Sequence, residues 1–144
     1  MSDVANQDLG ASNSSITVWT DGTCKGWMSK FSMGKSFFGA SNWKRRYFVL
    51  AALGESVGLG YYEDMRAEKL VGTVRLHSDT TRVIANPSTL VHKQATAAGQ
   101  DICIIFINPE DKKEMMLLLR TESRDDHDRW IAALTFHFKI IEAA

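Results

Sequence analysis

Apolar positions along this chain recur first with period two and then, near the C-terminus, with the period of a helix. "GWMSKF" (26–31) places Trp27, Ser29 and Phe31 on one side and Met28 and Lys30 on the other, the alternation of a half-buried strand. "WKRRYFVLA" (43–51) begins charged and ends apolar, and "GLGYYE" (58–63) follows it. "LVGTVRL" (70–76) and "TTRVIA" (80–85) are rich in β-branched residues and read as further strands. "DICIIFIN" (101–108) and "EMMLLLRT" (114–121) are strand-length apolar runs joined by the turn-forming "PEDKK". Between residues 86 and 100, "NPSTLVHKQATAAGQ" shows no period and reads as a loop.

The last segment, "SRDDHDRWIAALTFHFKIIEAA" (123–144), spaces Trp130, Leu134, Phe138 and Ile141 by four, four and three residues, the apolar stripe of an amphipathic helix. Ser123 followed by Asp126 fits a capping box, and Asp125, Asp126 and Asp128 suit a helix N-terminus. His127 and Trp130 lie three apart on that helix, which makes His127 a packing residue and Trp130 core. Seven strands followed by one helix predict a mostly β (α+β) fold, an antiparallel sandwich or barrel closed by a C-terminal amphipathic helix. Residues 1–22, rich in Ser, Asn, Asp, Ala and Gly, are expected to be a mobile tail ahead of one domain over 23–142.

Composition narrows the function. With 144 residues and a hydrophobic fraction of 44%, the chain can bury a core without disulfide or metal staples. No apolar run approaches the length of a membrane-spanning helix, and the first residues match neither a signal peptide nor a myristoylation site. Cys24 and Cys103 form no CxxC pair, so both are expected to be reduced thiols of a cytoplasmic protein. The four histidines, His77, His92, His127 and His137, show no metal-ligand spacing, and no cofactor is expected. Nucleophile-elbow, phosphate-cradle and zinc-protease motifs are absent, so the chain does not read as an enzyme. Net charge is zero, and the basic patch is small, which argues against nucleic acid.

Charge is nevertheless unevenly placed. Gly22 to Gly54 contains no acid and six bases: Lys25, Lys30, Lys35, Lys44, Arg45 and Arg46. Asp101 to Asp128 carries eight acids against four bases. Such a dipole orients a neutral molecule toward an anionic surface. By alternation Lys44 and Arg46 share the face of Phe48 and Leu50, and Lys30 shares that of Met28. Three cations then converge at the mouth of a core-facing surface, where Arg offers a fork of donors and Lys a point charge. Arg45 takes the opposite face. Phe37 and Phe38, beside Lys35 in the Gly/Ser-rich stretch, suit either insertion at a lipid interface or folding back onto the domain.

Four of these segments together resemble the pleckstrin-homology domain: "GWMSK", "WKRRYFVL", "LGYYED" and "LLLRTESRDDHDRWIAAL", in that order over about residues 24–141. The resemblance implies a seven-stranded sandwich or barrel closed by a helix that carries a tryptophan, here Trp130. It implies phosphoinositide headgroups as ligands. The family's signature of a strand-one Lys followed by Lys/Arg-x-Arg in strand two is matched by Lys30, Lys44 and Arg46, and Tyr61 looks like the strand-three tyrosine that reaches a headgroup phosphate. The loop holding Lys35, Phe37 and Phe38 is the family's membrane-facing rim. The implied role is a monomeric, cytoplasmic adaptor that associates peripherally with anionic membranes. A protein-interaction module of the same fold, using the acidic helix end or an exposed strand edge, is the alternative.

Overall fold

The computed structural model describes residues 16–32 and 43–142. β2 (Cys24–Phe31) is the strand on which the sheet turns. One edge pairs antiparallel with β3 (Trp43–Leu53) along its whole length, from Cys24↔Leu50 to Phe31↔Trp43. The other edge is shared. β1 (Thr17–Val18) takes its start through Val18↔Cys24, and β8 (Glu114–Thr121) takes its end through Met28↔Thr121 to Lys30↔Leu119. β4 (Ser56–Tyr62) and β5 (Leu70–Leu76) extend the sheet beyond β3. β7 (Asp101–Ile107) and β6 (Arg82–Ala85) extend it beyond β8. The order is β5-β4-β3-β2-β8-β7-β6-β9, where β9 is Ile140–Ile141.

Inward residues of every long strand meet in one core. Met28, Phe48, Leu50, Leu59, Leu76, Ile102, Ile104 and Leu119 are all within 1% of complete burial. α1 (Arg124–His137) closes it with Trp130, Ala133 and Leu134. Ser123 caps the helix, its Oγ accepting the Asp126 amide at 3.0 Å, and Asp125 and Asp126 lie in the first turn as the macrodipole favours. The fold is therefore the expected one: mostly β, with a single C-terminal helix against the sheet.

A second, smaller cluster explains the unbroken apolar runs of β7 and β8. Ile84, Cys103, Ile105 and Leu118 point away from the main core and are still buried, with Phe31, Trp43, Val91 and Ile141 packed against them. A strand covered on both faces needs apolar residues at both parities. The aperiodic loop over 86–100 supplies part of this cover through Val91.

Three expectations are corrected. Nine strands, not seven, occur among the described residues; β1 and β9 are two residues each, too short to show a period. α1 ends at His137 and does not run on through Ile141 to Ala144: Phe138 has extended backbone and caps the helix through its amide to the Leu134 carbonyl. Ile140 then packs on the main core and Ile141 on the second cluster, while β9 pairs in parallel with β6. Adjacent residues can serve opposite faces in a strand but not in a helix. Finally, residues 16–22 are part of the packed unit and not tail. Ile16 and Val18 are buried at 2% and 3% exposure, Arg129 donates to the Ile16 carbonyl at 2.8 Å, and His137 Nε2 lies 3.1 Å from the Gly22 carbonyl. Gly26 makes room for this, since a Cβ there would overlap the Ile16 side chain. The tail expected over residues 1–15 lies outside the described residues.

Candidate functional site

β-Pairing brings the predicted cations together. Lys30 of β2 stands directly across from Lys44 of β3, and Arg46 across from Met28, two residues further in. All point to the side of the sheet on which Met28 and Phe48 are buried, so they crown the open end of the core. Phe48 is paired in register with Tyr61 of β4, and their rings lie 5.5 Å apart. The half-buried Lys30 extends over this aromatic floor, its Nζ 5.5 Å from the Tyr61 ring centroid and donating to Ser32 Oγ at 2.8 Å. Burial pulls the Lys30 pKa below the ordinary ammonium range, and the charge of Arg46 adds to the effect. Arg46 Nη1 donates to its neighbour's carbonyl, that of Arg45, at 2.9 Å, leaving the rest of the fork available, and Lys44 is exposed.

Among the described residues no acid pairs with these three. Elsewhere among the described residues the basic side chains of Arg45, Arg66, Lys69, Arg82 and Arg120 each lie within ion-pair distance of a carboxylate. Like charges directly opposite one another destabilise a sheet, so the rim is an electrostatic cost that an anion would relieve. Lys35, Phe37 and Phe38 lie outside the described residues.

The other face of the same strands has a different character. Arg45, at the opposite parity as expected, stacks on Trp27 with its guanidinium carbon 4.0 Å from the ring centroid and forks onto Glu122. Trp27 in turn meets Tyr47 edge-on at 5.5 Å. Further along, Arg120 stacks on Trp43 at 4.1 Å and clamps the fully buried Asp101, which also accepts the Thr96 amide at 2.7 Å. His127, buried as expected of a packing residue, reaches the Asp101 carbonyl at 3.1 Å. Arg45–Glu122, Arg120–Asp101 and His127–Asp101 join residues 19 to 77 apart. Sequence reasoning assigned Arg45 its face by parity but had no signal for Glu122, Asp101 or the stacking.

Two clefts lie away from the rim. One of about 530 Å³ sits between the 86–100 loop and the start of α1, lined by residues including Ser88, Thr96, Arg124 and His127. A shallower one of about 220 Å³ runs over the outer face of β3, β4 and β5. Neither contains Lys30, Lys44 or Arg46.

Among the described residues, the sheet is thus closed by a helix at one end and carries three unpaired cations at the other. The family model for the PH domain matches residues 22–137, and the chain belongs to that family, whose members serve membrane and protein interaction and are generally non-catalytic. The human TBC1 domain family member 2 PH domain in solution aligns with a TM-score of 0.51 at 16% identity, covering 89% of this chain and 87% of that one. The carboxyl-terminal PH domain of pleckstrin aligns at 0.48 and 20% identity, covering 78% and 92%. The hSac2 domain of human phosphoinositide phosphatase Sac2 aligns at 0.43 and 15%, covering 81% and 75%. Comparison with curated protein sequences finds no match. No helix among the described residues is long and apolar enough to cross a membrane.

Proposed function

We propose that this PH domain is a phosphoinositide-binding, membrane-targeting adaptor module that works at the cytoplasmic face of anionic membranes, with headgroup phosphates held by Lys30, Lys44 and Arg46 and the pocket floored by Tyr61. The observation that carries the reading is the cross-strand opposition of Lys30 and Lys44 beside Arg46, with no carboxylate among the described residues to balance them. The proposal extends to Lys35 as a further cation for lipid phosphate and to Phe37 and Phe38 as candidate membrane-inserting aromatics, all three outside the described residues.

Magnitudes set what the rim must do. Each basic residue near an anionic bilayer contributes roughly 1 kcal/mol, so four or five give about 4–5 kcal/mol, near millimolar affinity. Field alone is too weak for a selective reader. The bidentate fork of Arg46 and the two flanking ammonium groups must grip a phosphate cluster stereospecifically. Sedimentation with liposomes carrying single phosphoinositides tests this: the wild type binds selectively, and Lys44→Ala/Arg46→Ala does not.

A protein-interaction role is the second reading, favoured by the groove over β3–β5. There Leu53 and Leu70 are about half exposed beside Gly58 and Gly60, and β5 is an open sheet edge. Membrane recruitment that survives removal of anionic lipid would select it.

A further inference from the structure

The inward positions of β5 read Leu76, Val74 and Gly72 from the core outward, opposite Val57, Leu59 and Tyr61 of β4. Leu76 is fully buried, and Val74 packs against the core. At the rim the series loses its side chain. The Tyr61 ring fills that space: a Cβ built on Gly72 would overlap Tyr61 Oη and stand 2.5 Å from Cζ and 3.1 Å from Cε1. An aromatic ring laid across a glycine of an edge strand is a stable cross-strand pair. It also fixes the ring. Tyr61 is held from below by Phe48 and from the side by Gly72, and its face is turned to the Lys30 ammonium.

We infer that Gly72 is a positioning residue for the anion site: its missing side chain lets Tyr61 lie flat against β5, and the ring so placed holds Lys30 Nζ at the rim. The inference rests on the proposed function and adds a residue to it that touches no ligand. Two consequences follow from the geometry. At its inward rim position β5 contributes no side chain of its own, so among the described residues the wall on that side is aromatic and uncharged. A methyl group at position 72 must displace the ring, because the three heavy atoms nearest to it all belong to the Tyr61 side chain. Displacement of the ring removes the surface over which Lys30 is extended, and the half-buried ammonium loses its place before Lys44 or Arg46 is disturbed.

The test is a double-mutant cycle read by titration of soluble inositol polyphosphate into the full chain, using wild type, Gly72→Ala, Lys30→Ala and the double variant. Gly72→Ala is expected to weaken binding about two- to fivefold, the scale of one cation–π contact. In the Lys30→Ala background the same change should alter binding by less than twofold, because the side chain it acts through is gone. Equal losses in both backgrounds would overturn the inference and reduce Gly72 to a folding residue, as would an unaltered affinity in Gly72→Ala. If Gly72→Ala folds poorly, Tyr61→Leu replaces it, with Tyr61→Phe as the control for any direct contact of the hydroxyl with phosphate; the loss in Tyr61→Leu beyond that in Tyr61→Phe should depend on Lys30 in the same way. Lys44→Ala/Arg46→Ala, run alongside, separates the two levels. If it leaves binding intact, the proposed function itself fails; if it abolishes binding while the cycle shows no coupling, only the role of Gly72 fails.

Discussion

Lys30 is where stability and the proposed function oppose each other. A half-buried ammonium facing Lys44 across the ladder, with Arg46 near, disfavours its own charged form. Its folded pKa lies below the unfolded value, so neutral pH is on the side where the charged side chain carries the full penalty. The penalty fades as pH rises through the folded pKa toward the unfolded one. Lys30→Met should therefore stabilise the domain by about 0.5–1 kcal/mol at pH 7, the scale of a like-charge cross-strand pair, and raise Tm by about 1–4 °C. The gain should narrow as pH approaches 10.5, and anion binding should fall in the same variant. Urea unfolding across pH, set beside ligand titration, checks both. A variant less stable than wild type at pH 7 would mean that Lys30 is already satisfied within the fold. The cysteines are a simpler case at the same scale. Cys24 and Cys103 are fully buried, and burial pushes the Cys103 thiol up to about 11. Neither should react with a thiol-specific reagent at pH 7.5 until the protein is unfolded; rapid labelling of the native protein would contradict their placement.

Among the elements, the long strands were legible because alternation is a local signal. Lys44, Arg46, Phe48 and Leu50 share a face as their parity requires, and the Ser123 cap announced α1 three residues before Asp126. What stayed hidden is what needs a partner distant in sequence. β1 is two residues long and forms because β2 offers it an edge and α1 a lid. β9 forms because Ile140 and Ile141 have different clusters to fill. Of the site, the three cations could be read from the sequence, whereas the role of Gly72 depends on a ring from another strand. Two predictions belong here. A chain beginning at Thr23 loses Ile16 and Val18 from the core and at least about 2–4 kcal/mol with them; thermal stability equal to that of the full chain would return residues 16–22 to a tail. Arg120→Ala leaves the buried Asp101 carboxylate without its cation and should cost about 3 kcal/mol. Thermal unfolding reads the loss, and hydrogen exchange should show it first at Thr96, whose amide Asp101 holds.

At the scale of the molecule, zero net charge conceals an asymmetry. Arg45 is neutralised by Glu122, while Lys30, Lys44 and Arg46 have no carboxylate partner among the described residues and share one rim. A long-range field from these charges would be largely screened beyond about 8–10 Å at physiological salt, so it steers the domain without selecting a ligand. Selectivity has to arise at contact distance. Sedimentation with liposomes that each carry one phosphoinositide, for wild type and Lys44→Ala/Arg46→Ala, at low and physiological salt, tests that claim most directly. The account predicts preference for particular headgroups that persists at physiological salt and is lost in the double variant. Equal binding to every anionic liposome, vanishing with salt and indifferent to headgroup, would contradict it.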